Sequence, residues 1–202
     1  MSLRKICNSE IVKKCVVHAQ ESRKGLLRGM ASYAVIWPLG SVVQQKIEGR
    51  EELDYWRVCR FLVYGSLYVA PTLTIWMTIA RVVWPQNNLR SALTKALVEQ
   101  VTYTPFAMTS FYFGMTLLEM KTIDDAKKEV ADKFLPTYRV GAVVWPFLQT
   151  FNYTVVAEKN RIVFVSFCSL VWTTFLAYMK ELEASRLEEE GVPLAIRKKP
   201  KA

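Results

Sequence analysis

The sequence predicts an all-α integral membrane bundle of four to five proline-interrupted transmembrane helices. Three observations lead there. Of 202 residues, 51% are hydrophobic, yet the mean hydropathy is only +0.12, so long apolar runs alternate with strongly charged connections. Pro38, Pro71, Pro105 and Pro146 each fall in a separate apolar run. A proline inside a soluble core helix costs about 3 kcal/mol or more, whereas membrane helices tolerate it because neighbours, hydroxyls and water re-satisfy the backbone. Finally, the run around Trp145 carries Gln149 and Asn152 among apolar residues, and amides in a dry medium need partners on a neighbouring helix.

Residues 1–24 read as a basic amphipathic segment for a membrane interface. No secretory signal is visible before Gly25, and Glu10 and Glu21 make a poor transit peptide, so internal targeting is expected. Residues 25–180 form the membrane bundle, and 181–202 a solvated helix end with a basic tail.

Leu26 to Val43 is the first run, with Gly25 and Gly29 as a small-xxx-small pair and Gln44 and Gln45 at its end. Lys46 to Arg60 is a charged connection turning at Gly49. Phe61 to Trp84 is the second run, long enough for about 30 Å of hydrocarbon. Trp84 to Asn88 is a stop signal.

Leu97 to Leu118 is the third run. Glu99 enters with it, and two readings stay open: an interfacial residue paired with Lys95, or a charge facing the bundle interior. Thr72, Thr74, Thr102, Thr104 and Thr109 are available to bond freed carbonyls. Lys121 to Pro136 reads as a short surface helix, opened by a Thr122/Asp125 capping box.

Val140 to Val156 is the fourth run. On a helix, Trp145, Gln149, Asn152 and Val156 share one face. The amides are either inter-helix bonds or the lining of an aqueous path. Ala157 to Arg161 is a polar turn, and from Ile162 one helix continues towards Glu190, with Glu183, Arg186 and Glu190 on its solvated end.

Charge and residue inventory exclude several functions. The net charge of +9 sits mostly outside the apolar runs, which suits membrane flanks better than nucleic acid. Cys7, Cys15, Cys59 and Cys168 show no metal spacing, and His18 is the single histidine. No metal, no cofactor and no catalytic residues are expected. Lys and Arg number twelve in the connections of one side and fifteen in those of the other, so charge does not orient the chain.

The string Trp145-Pro146-x-x-Gln149-x-x-Asn152-Tyr153, followed by Arg161 and Trp172, resembles the family of Mpv-seventeen and the small peroxisomal membrane protein. Weaker agreement covers Gly40 with Gln44, Asp54 with Arg57 and Arg60, Gly65 with Pro71 and Trp76, and Glu99-Gln100 with Pro105. The chain departs from the family at Ser41, where an acid is usual, at Ala157, where a proline is, and at Tyr153, where a phenylalanine is. The resemblance implies an integral protein of the mitochondrial inner membrane, or alternatively of the peroxisomal membrane, usually described as four-span. It also implies a link to mitochondrial homeostasis and, for some members, a non-selective channel for small solutes.

Two functions follow as expectations. One is a channel whose polar path uses Gln149, Asn152, Gln100, Glu99 and Gln44. The other is a structural or assembly factor of the inner membrane without a pore. The lipid bilayer is the expected partner, with a homo-oligomer or a membrane complex as further options and no direct nucleic acid.

Overall fold

The computed structural model describes residues 10–189, with side chains from 23 to 179. Expectations for Cys7, Cys15, His18, the Glu183/Arg186/Glu190 ladder and the basic tail concern side chains or segments outside that description.

Five helical rods run alternately up and down. The first is α1, Glu10–Ile47. The second joins α2, Tyr55–Tyr64, through a π-helical turn at Gly65–Val69 to α3, Ala70–Val83. The third is α4, Leu89–Val101, and α5, Tyr103–Leu118. The fourth is α6, Ile123–Thr154, and the fifth is α7, Arg161–Glu189, entered through a 3-10 turn at Glu158–Asn160. The rods over Arg23–Ile47, Tyr55–Val83 and Glu158–Met179 are long and apolar enough to cross a membrane. Val35, Leu67, Ile75 and Val171 are exposed on their outer faces, as helices surrounded by lipid require.

The prolines explain why two rods are broken. Pro71 follows the π turn and sits in the first turn of α3. Pro105 sits in the first turn of α5, just past the break at Thr102. Past the break at Thr102 the missing Pro105 donor costs little. At Pro71 the backbone stays right-handed helical through Val69 and Ala70, and the π turn, with the Ala70 N–H on the Gly65 carbonyl, shifts the bonding past the missing donor. Hydroxyls attend both breaks: Thr72 Oγ1 donates to the Tyr68 and Val69 carbonyls at 3.0 and 3.1 Å, and Thr102 Oγ1 to that of Val98 at 2.6 Å. Pro38 and Pro146 lie inside unbroken helices.

Three expectations are corrected. Lys121 to Pro136 is not a separate surface helix, because α6 continues through Pro136 to Thr154; the Thr122/Asp125 capping box that opens it is present. Val156 does not share the Gln149 face, because α6 ends at Thr154 with Val155 as its cap. Tyr55 to Arg60 is already helix, so the first connection is only the turn around Gly49, whose φ is +70°.

Helices α1 and α7 run parallel in close contact. A Cβ on Gly29 would meet Ile162 Cγ2 at 2.8 Å, and one on Gly40 would meet Leu170 at 3.1 Å. Between them the Ser32 and Ser166 hydroxyls bond at 2.5 Å. Gly25, the other half of the expected small-residue pair, has nothing within 4 Å. The core has two parts. Tyr33, Ala70, Leu73, Ile162 and Val165 fill one, and Phe61, Tyr64 and Met115 the other, with Trp37 packed against both.

Candidate functional site

The site is built where α4 crosses α6. On α4, Lys95, Ala96, Glu99 and Gln100 recur at helical spacing and all are buried. On α6, Gln149, Asn152 and Tyr153 sit at i, i+3 and i+4, one face of the helix. The two faces meet over Glu99, which is 4% exposed. Gln149 Nε2 donates to one carboxyl oxygen of Glu99, and Tyr153 Oη donates to the other at 2.7 Å. Asn152 Nδ2 donates to Gln149 Oε1 at 2.9 Å, which orients that amide. The carboxyl is therefore gripped by neutral donors, and the interior reading of Glu99 holds. The Lys95 pairing is corrected: Lys95 Nζ instead reaches the Gln86 carbonyl at 3.4 Å and lies 5.5 Å from the Tyr153 ring centre.

Arg161 closes the same corner. Its Nη2 donates to the Tyr153 carbonyl at 3.0 Å and its Nε to the Val156 carbonyl at 3.3 Å, groups that the end of α6 leaves unbonded. Its guanidinium carbon is 5.4 Å from the Tyr153 ring centre. Trp145, one turn before Gln149, meets Trp172 of α7 edge to face at 6.2 Å. The motif residues Trp145, Gln149, Asn152, Tyr153, Arg161 and Trp172 thus form one contiguous unit. Pro146 lies on α6 between them, its carbonyl taking a 2.7 Å bond from Thr150.

Behind Glu99 lies an interior cavity of about 180 Å³. Glu99 and Gln149, with the hydroxyl residues Thr104, Thr137, Ser169 and Thr173, supply its polar lining, and Tyr33, Trp37, Tyr103 and Trp172 much of its aromatic wall. Towards the end where α2 begins, a vestibule of about 1160 Å³ opens between the rods. The cavity and the vestibule share Phe111, Tyr112, Thr137, Thr173 and Leu176 as lining. The vestibule is ringed by charges of both signs. Arg57 donates to Glu48 at 2.7 Å and to the side-chain Oε1 of Gln44 at 3.1 Å, and Arg60 meets Asp54 at 3.5 Å. The Asp54 carboxyl caps α2 by accepting from the Arg57 amide at 2.9 Å. That bond, with the Arg60 and Arg50 charges, holds it below the usual carboxylate value.

The five expected polar residues therefore separate. Glu99 and Gln149 line the interior cavity. Asn152 stands behind Gln149, with its Oδ1 buried and unbonded. Gln100 is buried beside α6 and both ends of its amide lack a partner; only its backbone carbonyl is used, by Tyr138 Oη at 2.9 Å. Gln44 lies far from this group, in the vestibule ring. Gln45, which sequence reasoning passed over, is fully buried and clamps both backbone groups of Asp54, at 2.6 and 3.3 Å. Its position on the Ser41 side of α1, four residues on, was the available signal.

Comparison with known proteins agrees with this unit. The Mpv17 / PMP22 family model matches residues 116–177, which hold every residue of the motif. PXMP2/4 family protein 4 of Dictyostelium discoideum is 30% identical over 129 residues, covering 64% of this chain and 70% of that protein. Mpv17-like protein of Xenopus laevis is 25% identical, covering 80% of this chain and 79% of its own. Mitochondrial inner membrane protein Mpv17 of Drosophila melanogaster is 27% identical, covering 76% and 95%. No solved structure matches. The chain belongs to the Mpv17/PMP22 family and is an integral protein of the mitochondrial inner membrane.

Proposed function

We propose that the chain forms a narrow path for small polar solutes across the inner membrane, drawn here in its closed state. One observation carries the reading. A vestibule open to one end leads, through shared walls, to an interior cavity that stops at a single carboxyl group. Beyond it, Gln149, Tyr153 and Arg161 fill the corner between α4, α6 and α7. A membrane interior holds a charge-bearing side chain at high cost unless it faces partners or water, and here Glu99 has both an amide-and-phenol grip and a cavity. Opening needs only that Gln149 and Tyr153 release it. No catalytic step is assigned to these residues.

The test is solute release from liposomes holding the purified chain, alongside planar-bilayer conductance. Leakage that rises in Tyr153→Phe supports the path. A tight, silent bilayer at high protein load removes it.

A second reading, a structural tie without a pore, is favoured by the complete bonding of the Glu99 carboxyl. Under it, Gln149→Leu lowers thermal stability in detergent and leaves solute flux unchanged.

A further inference from the structure

At the end of the bundle opposite the vestibule, a separate cavity of about 440 Å³ lies between α1, α3 and the entry to α7. Lys24, Arg28, Arg81, Lys159 and Arg161 line it, and Glu158 is the one acid that does so among the described residues. Glu158 is already shared, with Arg81 at 3.3 Å and Arg161 at 3.7 Å. Lys24, Arg28 and Lys159 have no acidic partner among the described residues. All three are exposed, so water screens their repulsion, and their clustering acts by raising the local positive potential towards an anion.

A second observation points the same way. The 3-10 turn Glu158–Asn160 runs directly into α7, and its cap, Ala157, bonds no helix amide with its side chain. Ala157, Glu158 and Lys159 all line the cavity. The N-terminal end of α7, whose Asn160 and Arg161 amides already bond the Ala157 and Glu158 carbonyls, adds its positive dipole to the same basic space. Thr74 and Thr78 add hydroxyls, although both now bond carbonyls of their own helix. Met77 and Ile162 add an apolar wall.

We propose that this cavity is a binding site for a phosphate-bearing anion. Phosphate oxygens accept from Lys24, Arg28 and Lys159, while Arg81 and Arg161 stay on Glu158. The site is separate from the Glu99 cavity, so its failure would leave the solute-path reading intact. The source of the phosphate is either a soluble compound or a lipid headgroup, since the cavity sits at the flank of the spans.

The experiment uses the full chain in phosphatidylcholine nanodiscs. One arm titrates inorganic pyrophosphate and reads thermal unfolding and tryptophan fluorescence. The other replaces part of the lipid with the two-phosphate lipid cardiolipin and reads retention by native mass spectrometry. Binding is expected in at least one arm, and about tenfold weaker in the Arg28→Gln/Lys159→Gln double variant. The Lys159→Arg variant, which keeps the charge, retains it. Response in the lipid arm alone assigns a headgroup, and response to pyrophosphate assigns a soluble compound. If neither probe binds, or if the double variant folds with the parent melting temperature and binds both probes unchanged, the site is not one.

Discussion

The Glu99 corner and the vestibule both hold carboxyl groups and satisfy them in opposite ways. At the Glu99 corner one buried carboxyl is held by Gln149 and Tyr153, with Asn152 behind them. In the vestibule, Glu48, Asp54, Arg57 and Arg60 form ion pairs whose side chains remain 18–34% exposed, within reach of water. The contrast teaches that burial, not charge count, sets the weight of each bond. A hydrogen bond in a dry site cannot be replaced by water once broken, so losing a donor leaves its acceptor with the full desolvation cost. A surface ion pair is screened and replaceable, and is worth about 0–1 kcal/mol.

The largest effect should come from Gln149→Leu. It leaves a Glu99 oxygen and the Asn152 amide unbonded, and a loss of about 3 kcal/mol is expected, read as a lower midpoint in thermal unfolding in detergent. An unchanged midpoint would break the comparison at its strong end. Tyr153→Phe keeps the ring and deletes one hydroxyl, for about 2 kcal/mol. Its fall in midpoint should be insensitive to added salt, because the bond is out of reach of ions.

Asp54→Ala should cost about 1 kcal/mol through loss of the α2 cap. Its pH dependence sharpens the point. The folded carboxyl titrates below its ordinary 3.8, pulled down first by the Arg57 amide. Its contribution is therefore complete above 3.8 and lost as the pH falls through the lower folded value. Parent and variant midpoints should converge in acid; a constant gap down to the lowest measurable pH would contradict the capping role. The smallest effect is expected from Glu48→Gln, about 0.5 kcal/mol, and only at low salt. Thermal unfolding at low and high ionic strength checks it. A loss as large as that of Gln149→Leu would erase the distinction between the two regions.

Much of the site was legible in the chain. The spacing of Gln149, Asn152 and Tyr153 puts them on one face whatever they touch, and apolar surroundings demand partners for them. The partner was not legible in the same way. Glu99 offered two readings because Lys95, one turn away, is the nearer cation in sequence; the rotation of α4 against α6 turned the carboxyl towards Gln149 instead. Gln44 and Gln45 are adjacent, so no period separates them. Only the docking of the Asp54 turn decided that Gln45 is enclosed and Gln44 faces Arg57.

The sequence by itself determined the all-α membrane bundle of four to five proline-interrupted helices, the capping box at Thr122 and the turn at Gly49. Each depends on local geometry or on burial of a residue's own neighbours along the chain. The tertiary structure alone decided that Pro71 and Pro105 lie in first turns, that α6 continues past Pro136, and that Glu99 is held from a helix fifty residues away. Those outcomes depend on which faces meet when the rods pack. Packing couples distant segments through contacts that no local period encodes.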